Sequence, residues 1–431
     1  METIAASSTR AAHEPIRVCL ASPLFYPVYS GPAVRFGRYL PGFLARGVEA
    51  RVFTGTPNAV KAAMSGVQVD WHTRRTGEFL PVETTNGVPV HRVRLPDGHP
   101  QRRSLIFGLS LVEFCRRPEY RPAVVQFVNL PYTLTPALLR LRRLGIGTVF
   151  TSTMLPELPP NPIKRWVLRR AVVFPTGLVS RVVVSSGAMR DMLRGLGVRD
   201  PIEIIPNGVD TARFRPPKSL EERIAIRRQL GIGAHDPVLL FVGPITARKG
   251  VDLLLEAWGR IAPDWPRAHL LLVGPRQAEN NPQEAAFQRK LNELVKASRA
   301  PERVHFIGLV PNVEDYMRAA DIFVFTSRRE GMPNVVPEAM ASGLPVISTP
   351  FLGLPAEFGH AGRHYLLAGF DPDLLAVRIT ELLADRGARV AIGAAARRWT
   401  EDHLAIDRSL DRYVELYREV AASHQRKGAT R

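Results

Sequence analysis

The chain has 431 residues, 45% of them apolar and 23% charged, which suits two ordinary α/β domains with full cores. Its formal charge of +18 sits almost wholly in residues 1–200, where 27 Lys and Arg face 12 Asp and Glu, against 31 and 28 in residues 201–431. No apolar run approaches the roughly 20 residues that span a bilayer, and the two cysteines, Cys19 and Cys115, lie too far apart for any metal spacing.

Met1–Arg17 carries acidic residues and no apolar h-region, so a short disordered tail over residues 1–15 is expected rather than a signal peptide. Arg17–Pro23 then reads as a buried strand running into a turn, Ala33–Arg46 as a helix and Ala50–Thr54 as a strand. Further strands are expected at Val88–Leu95, Val124–Val128, Thr148–Thr151 and Arg181–Ser185, with helical patterns between several of them. Such βα alternation implies a mostly parallel, doubly wound sheet. The Pro206-Asn207-Gly208 turn breaks the series and makes a hinge between domains. The series restarts with strands at Val238–Gly243, His269–Val273, Val304–Gly308, Ile322–Thr326 and Pro345–Ser348, and a helix at Val251–Ile261. Asp371-Pro372-Asp373 opens a helix better than it binds a metal, because Asp is favourable in a first turn. Helical spacing continues from Leu374 to Ala422, and residues 423–431 read as a loose polar end.

Glu330 and Glu338 stand out within this pattern. One lies in the loop after an apolar strand and the other eight positions on, in the helix that follows. Parallel sheets present ligand-facing groups beyond the carboxyl ends of their strands, and a helix N-terminus there suits a phosphate. Two carboxylates beside such an anion cradle fit a ligand that is part phosphate and part polyol, as a nucleotide sugar is. The eleven histidines show no metal spacing, and no complete Gly-x-Gly-x-x-Gly is present.

The ordered set of Ser22-Pro23, Ser30-Gly31, Ile205–Asp210, Val242-Gly243, Lys249–Asp252, Glu330/Glu338 and Ala339–Val346 resembles family 4 of the retaining glycosyltransferases, from about residue 17 to 420. The resemblance implies the GT-B fold: two Rossmann-like, doubly wound parallel-sheet domains facing a cleft. The first would span residues 16–205 and the second, which holds the nucleotide sugar, residues 206–400. A helix over 401–422 would cross back onto the first domain. Glu330 would lie by the donor sugar and Glu338 by the ribose. The N–H groups of the stretch from Met332 to Val335, which includes Pro333 and Asn334 and follows Gly331, would border the diphosphate. Ser30 and Gly31 would approach it from the first domain, near Gly243, and Gly308 and Leu309 would border the base. Lys249 would neutralise the leaving diphosphate without a metal or a cofactor.

The sequence departs from the family twice. Pro244 stands where the family usually has Arg, with Arg248 as a candidate replacement, and Thr153 (or Ser152) stands where it tends to have a histidine. The expected activity is transfer of a hexose to a hydroxyl of a lipid-linked, polysaccharide or small-molecule acceptor, in the cytoplasm. A sugar-nucleotide epimerase, a phosphorylase and a catalytically silent nucleotide-sugar-binding protein are the alternatives. The stretches Leu105–Phe114 and Ile163–Phe174, both flanked or interleaved by arginines, read either as amphipathic helices packed on their own sheet or as contacts for an anionic membrane surface at its inner face. Nucleic acid is not an expected partner, since no recognition motif is present and aromatics do not interleave with the basic runs.

Overall fold

A computed structural model describes residues 14–28, 30–58, 75–129, 132–154, 159–276 and 282–429. Of the tail expected over residues 1–15, residues 1–13 lie outside the described residues.

The first sheet is built from β1 (Ile16–Ser22), β2 (Val48–Gly55), β3 (Glu83–Thr85), β4 (Val88–Val93), β5 (Val124–Val128), β6 (Gly147–Ser152), β7 (Arg181–Val184) and β8 (Ile202–Ile204). Their order is β3-β4-β2-β1-β5-β6-β7-β8, parallel except for the β3–β4 hairpin. That hairpin turns on Asn86-Gly87, both at positive φ, which is the turn chemistry a two-residue loop requires. The second sheet holds β9 (Val238–Val242), β10 (His269–Val273), β11 (Val304–Gly308), β12 (Ile322–Phe325), β13 (Val346–Ser348) and β14 (Leu366–Leu367). Its order is β11-β10-β9-β12-β13-β14, parallel throughout the described residues. All five residues of β9 are buried, as a strand covered by helices on both faces demands.

Helices α1 (Gly31–Leu44), α2 (Pro100–Arg116), α3 (Thr135–Arg143), α4 (Pro162–Thr176) and α5 (Gly187–Leu196) flank the first sheet. Those flanking the second are α6 (Leu220–Gln229), α7 (Val251–Ile261), α8 (Pro282–Ala297), α9 (Val313–Ala319), α10 (Val335–Ala341), α11 (Pro372–Ala384) and α12 (Arg386–His403). Ser30 begins α1 by accepting the Ala33 N–H at 3.2 Å, two residues earlier than the apolar spacing alone indicates. Strand order reverses between β1 and β5 and again between β9 and β12, so each sheet has a switch point at its carboxyl edge, where α/β sheets bind ligands.

The last helix, α13 (Ile406–Ala429), returns to the first sheet. Its Leu410, Tyr413, Val414, Tyr417 and Val420 are buried with residues of β1 and α1. Tyr413 and Tyr417 pack edge-on or tilted against Phe36, Tyr39 and Phe43 with centroids 5.8–6.2 Å apart. Two boundaries differ from the sequence reading. Residues 401–403 close α12 instead of opening the crossing helix, and the end read as loose from residue 423 stays helical to Ala429. No Gly or Pro interrupts residues 406–427, and buried Val420 keeps the last turns against the sheet. The two crossings between domains run side by side: the Val209 N–H donates to Leu404 O and the Ile406 N–H to Val209 O, each at 2.8 Å. Gly208 permits this, since a Cβ there would lie 2.7 Å from Ile406 Cα.

Candidate functional site

The densest polar cluster at the carboxyl edge of the second sheet centres on Glu330, in the loop between β12 and α10. Its Oε1 accepts from Arg248 Nη1 at 2.6 Å and from Ser327 Oγ at 2.6 Å, and lies 2.8 Å from Lys249 Nζ. Lys249 and Glu330 are nearly buried, while Arg248 is partly open to the cleft. Burial holds the Lys249 ammonium below the ordinary lysine range, and the Glu330 carboxylate recovers part of that shift. The lysine also faces the Phe325 ring at 5.2 Å. Local backbone fixes this geometry. Gly250 has φ +66°, and a Cβ there would fall 2.1 Å from Thr326 O, so only glycine lets the Arg248–Lys249 turn lie against β12. Asp252 stands aside from the cluster, held between Arg328 and Lys290.

A backbone platform extends from this cluster along β9, β10 and β11. The Gly243 N–H donates to Val273 O, and the Gly274 N–H to Gly308 O, both at 2.8 Å. A Cβ on Gly274 would meet Gly243 O at 2.1 Å, so the strand ends approach as closely as backbone allows. Leu309 follows Gly308 into solvent. Pro244 continues from Gly243 without an N–H, and the guanidinium of Arg248 turns to Glu330. Pro333 likewise has no N–H, which leaves Met332, Asn334 and Val335 as the donors of that loop.

The first domain closes over the site. Gly331 packs on the backbone of Thr153, whose carbonyl oxygen would lie 2.5 Å from a Cβ at residue 331. The Thr153 hydroxyl donates to Asn129 Oδ1 at 2.7 Å rather than to Glu330, and Asn129 holds positive φ. Asn207 of the hinge donates through Nδ2 to Met332 O at 2.7 Å and to Asn334 Oδ1 at 2.8 Å. Asn334 Nδ2 in turn reaches Gly31 O at 3.4 Å, next to the Ser30 cap. Glu357 accepts the Gly187 N–H at the start of α5, at 2.8 Å. Buried Glu338 is ion-paired with Arg38 of α1. Arg38, Asn129, Asn207, Ser327 and Gly274 were absent from the sequence-derived site. Only Asn207 carried a signal, as a member of the Ile205–Asp210 motif.

Asp371 caps α11, accepting the Asp373 N–H at 2.7 Å and the Leu374 N–H at 3.2 Å, which settles that triplet as a helix start. Among the described residues no group of three or more His, Cys, Asp or Glu is placed to hold a metal ion. Cys19 and Cys115 are buried and unbridged. The two basic stretches behave differently. Helix α2 buries Phe107, Leu111, Val112 and Phe114 and leaves Leu105 and Leu109 outside. In α4 Leu168, Ala171, Val172 and Val173 are partly buried and Pro175 and Thr176 are buried, whereas Ile163 (72% exposed), Trp166 (57%) and Phe174 (60%) face outward. These outward apolar residues do not pack on the sheet, although such packing was one of the two readings the sequence left open.

Comparison with known proteins accords with this geometry. Residues 31–213 match the family described as Glycosyltransferase Family 4, and residues 222–399 match Glycosyl transferases group 1. The lipopolysaccharide core biosynthesis mannosyltransferase LpsB of Rhizobium meliloti (strain 1021) is 26% identical over 365 residues, covering 83% of this chain and 95% of that protein. The D-inositol 3-phosphate glycosyltransferase of Geodermatophilus obscurus is 29% identical over 397 residues, covering 85% and 84%. Anabaena Alr3699/HepE, solved in complex with UDP and glucose, shares the fold with a TM-score of 0.73 at 17% identity, over 94% of this chain and 100% of that one. The chain belongs to the group 1/family 4 glycosyltransferases, and its paired parallel sheets form the GT-B fold of such enzymes.

Proposed function

We propose that this glycosyltransferase is a retaining hexosyltransferase that uses a nucleoside-diphosphate sugar and needs neither a metal ion nor another cofactor. The observation that carries this reading is the Arg248–Lys249 pair closed on Glu330 at the switch point of the second sheet. An incoming diphosphate meets two cations there, in the setting where a fixed charge acts most strongly on a leaving group. The sugar C1–O bond breaks, with its electron pair left on the β-phosphate oxygen. An acceptor hydroxyl attacks C1 on the same face, and its proton passes to that oxygen. The products are a glycoside and a nucleoside diphosphate, with no protein nucleophile. Glu330 stands beside the developing positive sugar, Glu338 receives the ribose, and the Gly243–Gly274–Gly308 edge with Leu309 borders the base. The occurrence of UDP and glucose in the HepE structure supports a nucleotide-sugar site on this fold. Incubation with isotope-labelled donors tests the reading. Net transfer to an acceptor is expected; epimerised donor, phosphate-dependent sugar release, or binding without transfer or hydrolysis would each overturn it.

The acceptor side belongs to the first domain, where we place a lipid-linked hydroxyl presented at the cytoplasmic face of a membrane. No helix among the described residues is long and apolar enough to cross a bilayer. Helix α4 instead offers Ile163, Trp166, Val167 and Phe174 outward among Lys164, Arg165, Arg169 and Arg170, the composition of an interfacial helix. Sedimentation with anionic vesicles is expected to fall steeply as salt rises, and neutral vesicles should leave the protein in solution. Equal indifference to both vesicle types would remove the membrane from this proposal.

A further inference from the structure

Glu338 is the carboxylate assigned to the ribose, yet in the structure it already has a partner. Arg38, two turns into α1, crosses the cleft and pairs with it. The carboxylate is almost wholly buried while the arginine is about a quarter exposed, so the arginine is the partner free to leave. Its guanidinium also rests over the Phe214 ring, 5.1 Å from the centroid, which holds the stem in the cleft when the ion pair opens. One turn earlier on the same helix stands Arg35. It is buried, joined to Asn207 Oδ1, and keeps Nε and Nη2 without a protein partner. Arg35, Arg38, Asn207, Asn334 and Glu338 line one crevice between the domains. Among the described residues lining this crevice, Glu338 is the one carboxylate beside two guanidinium groups, an excess of positive charge that suits an anion.

We propose that Arg38 is a donor-binding residue that exchanges partners. It neutralises Glu338 in the empty cleft and moves to a phosphate of the nucleotide once ribose hydroxyls take the carboxylate. The ligand class is a nucleoside diphosphate, gripped by Arg38 from the first domain while Lys249 and Arg248 hold it from the second. The inference rests on the donor reading above, because it needs ribose at Glu338. Two charge-assisted contacts are traded one for the other, so the exchange leaves neither charge buried alone.

Titration calorimetry of wild type and Arg38→Gln with UDP, GDP and ADP, and with the matching nucleosides, tests it. The nucleoside diphosphate that wild type binds should bind Arg38→Gln about tenfold more weakly, the effect of losing one charged hydrogen bond. The matching nucleoside should bind the variant several-fold more tightly, since nothing then competes for Glu338. Arg38→Lys keeps the charge without the planar fork and should fall between the two, also serving if the glutamine variant folds poorly. Tighter binding of both ligands would make Arg38 a mere blocker, and unchanged affinities would make it structural; either overturns the exchange. A wild type that binds none of the three diphosphates overturns the donor reading itself, and the exchange with it.

Discussion

Replacing Lys249 by methionine should lower kcat/KM for sugar transfer by roughly 10²–10³-fold, the usual loss when one fixed donor to a developing negative charge is removed. Methionine keeps the apolar stem beside Gly243 and Phe325, so the fold should survive and nucleoside diphosphate affinity should fall with activity. The same residue sets a pH signature. Burial depresses Lys249 and Glu330 partly restores it, so the charged, working form is lost at a lower pH than for an ordinary lysine. The alkaline limb of kcat/KM, which reports the free enzyme, should therefore lie below the usual lysine range. Glu330→Gln removes the group that raises Lys249 and should shift that limb further down in pH, besides lowering kcat. A limb that stays in place in Glu330→Gln would separate Lys249 from the rate.

That these groups share one site was legible because their loops are neighbours on one sheet. Arg248 and Lys249 end one βα turn, and Ser327 and Glu330 lie in the next loop of the same sheet, so an ordered motif set places them together. Most strands of both sheets were legible for a similar reason, as continuous apolar runs bounded by turns, whereas β3, β8 and β14, only two or three residues each, were not. Contacts across the cleft were not. Arg38 and Glu338 are 300 positions apart, and Asn207 and Asn334 are 127 apart, so only the return of α13 and the paired crossings at Val209 and Ala405 bring them together. Thr153 shows the same limit. Its position marked a departure from the family without saying where the side chain points, and in the structure its hydroxyl turns to Asn129 and its carbonyl meets the other domain. In α4, apolar spacing did not say which side of the helix packs, and the inner side includes Leu168, Ala171, Val172 and Val173.

The contact between Thr153 and Gly331 yields the second large effect, on domain closure. Gly331→Ala adds one methyl where Thr153 O would stand 2.5 Å away and Met189 Sδ 3.1 Å away. The obstructing atom is a main-chain oxygen at the end of β6, which no rotamer change can clear. Gly331 does not have positive φ, so alanine strains neither domain by itself, and thermal stability should change little. The methyl instead holds the two domains apart at Thr153, beside the site proposed for the donor sugar. A misplacement of about 1 Å there is enough to cost on the order of 10²-fold in rate. Donor affinity, which in the proposed site rests largely on Lys249, Arg248 and Glu338 of the second domain, should move by much less. The expected signature is a collapse of kcat with a nearly preserved Kd for the nucleoside diphosphate. Slow hydrolysis of the donor should also rise relative to transfer, because a propped cleft admits water to the sugar that closure would exclude. If Gly331→Ala transfers sugar at the wild-type rate, the closed arrangement is not the one in which chemistry occurs.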